Sequence, residues 1–528
     1  MVMLVSRTET PLDRPARPHR DLAAVAMGVA LCLALVETHG VSYAQEPGAI
    51  HLLNQADELS RSGDVAATLQ TYEDLVSRFP EDERAPVALL RLAEGRWTAG
   101  DREGATSAIA HLRDRYGRAP SAAGTWVLEG QIQLQTASSV DDLLTAHTTL
   151  GRVHALFGRS EYPDPTWRRQ AGVARGRLSL LLGELDLAAA EFLGVVEDEP
   201  AGPGTAEAQT ALAEVLIYQR EWNAAAEILQ RVVDEAPADG LNGLTPHSLA
   251  SRRLSLLHRT VFRPRLRRSP WTAMRRLEVP GRGLDNPVGL AVAPDGRVVV
   301  TDEGADLALT FNADGQLVGT TVVDRGGFPW TGPGGELYVL DRRTIQQPLG
   351  ETVSATFAVP DRGRFRNLEN LRAGARGVFD EWFILDTGLR RVVRFDRQRQ
   401  YSATLVERGG GSEIVDLALD RRGRLYALDG EQNHVIRFGL DGAVEGTVVS
   451  GEWRRPEALT LDALGNVYVL DRDEKTIDVF DPDGTLLLTY GPQLPDGTRL
   501  RGPRDLAVDD EGRLYVVDRD LDAVFILE

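Results

Sequence analysis

A heptapeptide that recurs through the second half of the chain constrains the fold more than any other feature. Its best copies are Gly512-Arg-Leu-Tyr-Val-Val-Asp518, Gly465-Asn-Val-Tyr-Val-Leu-Asp471 and Gly423-Arg-Leu-Tyr-Ala-Leu-Asp429. Weaker copies end at Asp302, Asp341 and Asp386, so six aspartates recur at intervals of 39 to 47 residues. A β-rich unit repeated about every forty residues is the sequence signature of a β-propeller. Six copies predict six blades.

The best-preserved unit, residues 456–490, predicts four short strands separated by turns. Asp462-Ala-Leu-Gly465 and Asp481-Pro-Asp-Gly484 supply the residue types that tight turns need. The second strand is apolar without interruption, which is typical of a strand covered on both faces by its neighbours.

The segment Asp429-Gly-Glu-Gln-Asn-His-Val-Ile-Arg-Phe438 resembles the Asn-His-Leu (NHL) repeat. The resemblance extends over residues 272–528 and is least clear in residues 322–361 and 363–408. It implies a six-bladed propeller of a kind that binds proteins or peptides.

The sequence also predicts how the ring closes. The last unit has a third strand, Ala523-Val-Phe-Ile-Leu-Glu528, with no fourth strand after it, and residues 272–280 read as a strand without a blade. We expect residues 272–280 to be the outer strand of the last blade, because this pairing removes an open sheet edge.

The first half of the chain has a helical period. Apolar residues recur at steps of three and four within paired segments, which break at Gly63-Asp64, Gly100-Asp101 and Gly183-Glu184. The pairs end at prolines, Pro80, Pro120, Pro200 and Pro237. A helical pair cannot bury its apolar face alone, so the pairs must stack into a solenoid.

This pattern resembles the tetratricopeptide repeat (TPR) over residues 50–237, in about five units, of which residues 124–158 are the most altered. We therefore place an α-solenoid at 45–240. The resemblance implies a concave surface that binds peptides or partner proteins; the alternative is a helical spacer without a ligand.

Residues 241–271 connect the two parts. Thr245-Pro246 predicts the start of a helix that covers the end of the solenoid. The same stretch is rich in arginine, from Arg252 to Arg268. It reads as a solvated linker, salt-bridged to the acidic remainder, in preference to a nucleic-acid patch, because no aromatic residues are interleaved for stacking.

Residues 1–44 predict a signal peptide. Basic residues precede an apolar run, Leu22–Val36, and Ser42-Tyr-Ala44 offers a cleavage site. The alternative is an uncleaved anchor. Cys32, inside the apolar run, is the sole cysteine, so the mature chain would have no disulfide. The formal net charge of −19 and export argue against nucleic acid as a partner. We expect a periplasmic or secreted protein without a membrane span in its mature part.

Two groups of acidic residues invite a chemical interpretation. The six closing aspartates would lie far apart around the ring, one in each blade, and are expected to accept backbone hydrogen bonds. Asp416, Glu457, Arg504 and Asp505, with Arg455 near, fall where first strands begin and are expected at the mouth of the central funnel. Carboxylates converging there could hold calcium or zinc. Such a site would resemble gluconolactonase-like hydrolases or the amidating lyases.

The sequence favours a binding protein without a cofactor. His434 is the sole histidine after residue 258, and no nucleophile elbow, phosphate loop or dinucleotide fingerprint is present. The leading hypothesis is a non-enzymatic scaffold that binds partner proteins or peptides. The alternatives are a metal-dependent hydrolase or lactonase acting in the funnel, and an architectural spacer.

Overall fold

A computed structural model describes residues 47–198, 204–237, 245–263, 269–323, 327–332, 334–341, 344–348, 357–361, 364–368, 370–407 and 412–528. The predicted signal peptide with Cys32, and Arg265, Arg267 and Arg268 of the basic stretch, lie outside these residues. A helical region precedes a six-bladed β-propeller, which confirms the fold class predicted from the sequence.

Eleven α-helices lie in the described part of the chain, and the first ten form five antiparallel pairs. They are α1 (Pro47–Ser62), α2 (Val65–Arg78), α3 (Ala85–Thr98), α4 (Arg102–Tyr116), α5 (Ala122–Thr136), α6 (Val140–Leu156), α7 (Thr166–Leu182), α8 (Leu185–Asp198), α9 (Thr205–Tyr218), α10 (Trp222–Glu235) and α11 (Pro246–Leu257). Gly63, Gly100 and Gly183 make turns within pairs with φ of 84°, 84° and 90°, a conformation that favours glycine. None of the helices in the described ranges is long and apolar enough to cross a membrane.

Small residues allow the two helices of a pair to approach closely. A methyl group added at Gly130 of α5 would lie 2.6 Å from the Leu150 side chain of α6. One added at Gly176 of α7 would lie 2.6 Å from the ring of Phe192 of α8, which is fully buried. Larger residues at these positions would overpack the core between the helices.

The propeller sheets are antiparallel and mostly four-stranded. Blade 1 contains β2 (Pro287–Val292), β3 (Val298–Asp302), β4 (Leu307–Phe311) and β5 (Leu317–Val322). Blade 2 contains β6 (Phe328–Thr331), β7 (Leu337–Asp341) and β8 (Thr344–Gln346), followed by the separate ladder of β9 (Ala358–Asp361) and β10 (Arg364–Asn367). Blade 3 contains β11 (Leu371–Arg376), β12 (Trp382–Asp386), β13 (Arg391–Phe395) and β14 (Tyr401–Val406).

The remaining blades follow the same order. Blade 4 contains β15 (Ile414–Leu419), β16 (Leu425–Asp429), β17 (His434–Phe438) and β18 (Val444–Ser450). Blade 5 contains β19 (Pro456–Leu461), β20 (Val467–Asp471), β21 (Thr476–Phe480) and β22 (Leu486–Tyr490). Blade 6 contains β23 (Pro503–Val508), β24 (Leu514–Asp518), β25 (Ala523–Leu527) and β1 (Met274–Arg276).

Strand β1 precedes the first blade in sequence but completes the last one in space. Met274 pairs with Leu527 and Arg276 with Phe525, in antiparallel register. The backbone N–H of Thr272 also donates to the carbonyl of Glu528, 2.8 Å away. The first and last segments of the propeller are therefore joined in one sheet, which leaves no open edge at the seam.

The solenoid packs along one face of the propeller. We name this the docked face; it carries the turns between first and second strands and between third and fourth strands. Phe379 of blade 3 belongs to the apolar core of α1–α7, and Leu464 of blade 5 belongs to that of α9–α11. Arg220 reaches Asp481 of blade 5 (2.9 Å), and Arg252 donates to the Pro294 carbonyl of blade 1 (2.6 Å).

A cluster of three charges, of which Arg253 is buried and Arg421 is exposed, lies within this interface. Arg253 of α11 and Arg421 of blade 4 both pair with Asp510 of blade 6, with Arg253 at 3.5 Å. Burial raises the pKa of Asp510, but the two guanidinium charges outweigh burial, so its pKa is lowered. Arg253 is 5% exposed. The predicted salt bridge to the acidic remainder is present at this residue, but the prediction that it is solvated is wrong, because α11 is packed between solenoid and propeller.

Candidate functional site

The first strands of the six blades surround a central channel. A cavity of about 230 Å³ lies between β2, β6, β11, β15, β19 and β23. The first strands end at the docked face, because the turns that join them to the second strands lie there. They therefore begin at the opposite face of the propeller. We name this opposite side the far face. The mouth of the channel on the far face is therefore on the side away from the solenoid.

The structure brings together the four funnel residues identified from the sequence. Asp416, Glu457, Arg504 and Asp505 all line the channel near the start of β15, β19 and β23. In β19 and β23 the register shifts at this point, between Pro456 and Ala458 and between Pro503 and Asp505. Such bulges leave one residue unpaired and redirect its side chain. The bulged residues are Glu457 and Arg504.

Asp416 and Asp505 connect neighbouring blades. Asp416 accepts hydrogen bonds from the backbone N–H of Leu417 in its own strand (2.8 Å) and of Leu459 in blade 5 (2.7 Å). Asp505 accepts from Leu506 (2.8 Å) and from Leu290 of blade 1 (2.8 Å). Each carboxylate therefore has both oxygens engaged with backbone amides, one of them across a blade boundary.

The surroundings of these two carboxyl groups disfavour their charged forms. Burial raises the pKa of Asp416 to about 6. Burial, and then the negative charge of Asp416, raise the pKa of Asp505 to about 8. The backbone N–H donors and the charge of Arg372 act in the opposite direction but are weaker. Both carboxyl groups are therefore protonated more readily than an ordinary aspartate, and Asp505 more readily than Asp416.

Glu457 lies at the centre of a group of arginines. Its Oε1 is 2.8 Å from Arg504 and 3.2 Å from Arg372, and its Oε2 is 3.6 Å from Arg455 and 3.9 Å from Arg472. We name these four side chains the arginine ring. Sequence reasoning found Arg504 and Arg455 but missed Arg372 and Arg472.

A signal for Arg372 was present in the sequence. The register of blade 3 shifts between Leu371 and Ala373, so Arg372 occupies the bulged position that Glu457 and Arg504 occupy in their blades. An alignment of the six first strands would have shown this equivalence. Arg472 directly follows the closing aspartate Asp471, and its sequence context does not distinguish it from other turn arginines.

The closing aspartates lie apart from the channel, at the ends of second strands. Asp518 accepts from the N–H groups of Arg501, Gly502, Asp520 and Leu521. Comparable contacts to backbone N–H groups are made by Asp302, Asp386, Asp429 and Asp471. The side chain of Asp341 lies outside the described residues. These carboxylates hold turns, and within the described ranges no group of three or more His, Cys, Asp or Glu side chains is arranged to hold a metal ion.

A second candidate site lies on the solenoid, between α4, α5 and α6. We name this cleft of about 370 Å³ the interhelical groove. Trp126 of α5 lines this groove. The guanidinium of Arg113 is 3.4 Å and that of Arg152 is 5.8 Å from the centre of its ring. Leu144, 48% exposed, forms part of the wall.

The interhelical groove combines an aromatic ring with incompletely paired cations. Arg113 pairs with Glu129 (2.7 Å), yet its Nη2 is buried without a hydrogen-bond partner in the described structure. Across the same described residues, no acidic side chain pairs with Arg152, which is exposed. Trp and Arg are the residue types that most often dominate the energetics of protein interfaces.

Comparison with known proteins identifies a partial relative. A stretch of 77 residues is 31% identical to NHL repeat-containing protein 3 of Mus musculus. The match covers 13% of this chain and 22% of the mouse protein. The chain thus matches about a fifth of the length of this curated relative. No family model matches the sequence.

Two solved structures are similar to the chain over about half of its length. A virginiamycin B lyase from Staphylococcus aureus is 12% identical, with a TM-score of 0.36, over 48% of this chain and 98% of its own. A gluconolactonase from Xanthomonas campestris is 15% identical, with a TM-score of 0.34, over 48% of this chain and 99% of its own. Identities and scores at this level carry no argument about activity.

Proposed function

We propose that the protein is a non-enzymatic scaffold that binds a partner protein or peptide outside the cytoplasm. The observation that carries the proposal is the interhelical groove, where Trp126 and the exposed Leu144 lie beside two arginines. A partner segment with apolar and acidic side chains would complement this surface. The propeller supports the solenoid from the docked face, and its far face is a second surface for binding.

Fixed geometry is what a scaffold requires. The solenoid contacts blades 1, 3, 4, 5 and 6 through apolar residues, hydrogen bonds or ion pairs. An interface with buried apolar residues and charges resists motion of one domain against the other. The interhelical groove and the far face are therefore held in one relative orientation.

The experiment is affinity capture from an envelope extract with matched variants. Trp126→Ala and Leu144→Asp are expected to reduce the captured partner at least about tenfold, since hot-spot residues contribute about 2 kcal/mol or more. Leu156→Asp is the control for Leu144→Asp. Leu156 lies on α6 with Leu144 and is similarly exposed (51%), but it does not line the groove. Equal capture by all four proteins would contradict binding at the groove.

The alternative, a metal-dependent hydrolase or lactonase, rests on the carboxylates of the channel. Elemental analysis of the purified protein, followed by a screen of lactones and esters, tests it. A stoichiometric divalent metal that is lost in Asp416→Ala or Asp505→Ala, together with turnover, would replace the scaffold proposal. The export that we propose is tested by fractionation and by sequencing the N-terminus, which is expected at Gln45.

A further inference from the structure

The arginine ring at the channel mouth carries more positive charge than its own carboxylate balances. Arg372, Arg455, Arg472 and Arg504 all approach Glu457 within 4 Å, and Glu457 supplies one negative charge. This excess is unexpected in a chain with a net charge of −19. A like-charged group of this kind is unfavourable unless further negative charge compensates it.

The hydrogen bonds of the ring are also incomplete. Arg504 and Arg372 both donate to Oε1 of Glu457, whereas Arg455 and Arg472 are too distant from Oε2, at 3.6 and 3.9 Å, for hydrogen bonds. The Nε of Arg504 is buried and has no hydrogen-bond partner among the described residues. A buried donor without a partner costs free energy, which an acceptor at the same place would recover.

The carboxyl groups below the ring offer little compensation. Asp416 and Asp505 have both oxygens engaged with backbone N–H groups, and burial raises the pKa of both, which disfavours their negative charge. The pKa of Arg472 is lowered, by burial first and then by the charge of Arg504, and Glu457 and Asp520 only partly oppose these effects. This direction is the one expected where positive charge is in excess.

The ring is preorganised and accessible. The guanidinium of Arg372 lies 4.4 Å from the ring centre of Phe328, which restricts its orientation. The exposed fraction of the four side chains ranges from 18% for Arg504 to 55% for Arg455, so a solute can reach them. The cavity of about 230 Å³ beneath them is smaller than the pockets that take drug-sized ligands.

We propose that the channel mouth binds a small dianion, with carboxylate or phosphate oxygens held by Arg372, Arg455, Arg472 and Arg504. Guanidinium groups present paired N–H donors that match the geometry of carboxylate and phosphate, and these charge-assisted bonds are among the strong ones. The ligand is an anion and not the divalent cation of the alternative hydrolase hypothesis. This binding does not depend on the interhelical groove, which lies on the solenoid.

The test is isothermal titration calorimetry of the purified protein near neutral pH, at constant ionic strength set with chloride. The probes are inorganic phosphate, sulfate and succinate as dianions, and calcium and zinc as cations. We expect saturable binding of one dianion per chain. Arg372→Gln and Arg455→Gln are expected to weaken it about ten- to hundredfold, the effect of losing a hydrogen bond to a charged group. Binding of phosphate but not succinate would identify a phosphate-type ligand, and binding of succinate but not phosphate would identify a dicarboxylate.

Two further variants separate anion binding from other effects. Arg454→Gln removes an adjacent arginine that pairs with Glu474 and is 75% exposed, and it is expected to leave binding unchanged. Glu457→Gln removes the carboxylate that competes with the ligand for the four arginines. It is expected to tighten dianion binding about tenfold, which corresponds to the energy of one hydrogen bond to a charged group.

A cation site predicts the opposite result for Glu457→Gln, which would then abolish binding. The proposal is overturned if no dianion binds at about 10 mM, a concentration at which a site with a dissociation constant of about 1 mM would be roughly nine-tenths occupied. It is also overturned if calcium or zinc binds in place of the dianion, or if Arg454→Gln weakens binding as much as Arg372→Gln. Circular dichroism of each variant shows whether it is folded. Arg455→Gln, at the most exposed of the four, keeps the test valid if Arg372→Gln does not fold.

Discussion

At the scale of single residues, acidic side chains in this protein act mainly as hydrogen-bond acceptors for the backbone. Asp416 and Asp505 connect first strands across blade boundaries. Asp518 accepts from four N–H groups, two in the segment before β23 and two in the turn after β24. The sequence correctly placed Asp416, Glu457, Arg504 and Asp505 at one end of the propeller, because position within a repeat is read directly from spacing. It could not give their protonation or their partners, because these depend on neighbouring blades.

The raised pKa values of Asp416 and Asp505 predict that stability falls as pH rises. A carboxyl group whose pKa is higher in the folded state binds more protons when folded, between its unfolded pKa near 4 and its folded pKa. The free energy of unfolding should therefore decrease from about pH 4 to about pH 8, the folded pKa of Asp505. One unit of pKa difference corresponds to about 1.4 kcal/mol, so we expect a loss of at least about 1–2 kcal/mol.

Urea unfolding of the Asp505→Asn variant at several pH values checks this prediction. The amide is neutral throughout and still accepts a hydrogen bond, so the fall in stability should be smaller than in the unaltered protein. Asp314→Asn, at an exposed turn residue, is the control and should preserve the full dependence. An identical pH dependence in all three proteins would show that Asp505 is ionised in the folded state.

At the scale of helices and strands, periodicity predicts most of the structure. The uninterrupted apolar second strands of blades 1, 3, 4, 5 and 6 are buried along their whole length. The pair α5 and α6 forms within the altered sequence of residues 124–158, and Gly130 is a small residue at which the two helices approach, next to Leu150. Blade 2 departs from the pattern in sequence, and in the described residues its sheet has three strands.

Gly176 and Gly194 allow a matched test of helix packing. Gly176→Leu places a large side chain against Phe192 and should destabilise the protein by about 1–3 kcal/mol through overpacking. Gly194 lies on α8, and no heavy atom is within 4 Å of a methyl group added there. Gly194→Ala should therefore stabilise the protein by about 0.5–1 kcal/mol, because alanine favours a helix more than glycine does. Thermal unfolding measures both. Equal effects would mean that α7 and α8 do not pack as described.

At the scale of the whole molecule, solenoid and propeller form a single unit, and the sequence did not predict this. Phe379 and Leu464, which join the solenoid cores, lie in turns that read as ordinary connections between strands. A repeat pattern describes how a unit packs on its neighbours in the same array. It contains no information about contacts between two arrays, which depend on a few residues on their surfaces.

Asp510 is the residue on which this arrangement most depends. Asp510→Ala would leave Arg253 and Arg421 without their common carboxylate, and removal of one partner of a buried ion pair costs about 3–5 kcal/mol. We expect calorimetry to show a separate, lower transition for the solenoid in this variant. Asp483→Ala is the control, since Arg220 keeps its contact with Asp481. A single unshifted transition for Asp510→Ala would contradict a stabilising role of the cluster.

The pairing of β1 with β25 has a consequence for biosynthesis. Strand β1 is made before any blade, whereas its partner is the last propeller strand to leave the ribosome. The ring can therefore close only after the whole propeller has been synthesised, and closure brings together segments distant in sequence, which is slow. The helices form early through local contacts, with the residues that later meet Phe379 and Leu464 still uncovered. During this interval the nascent chain presents apolar surface, and this is the stage at which a chaperone would be needed.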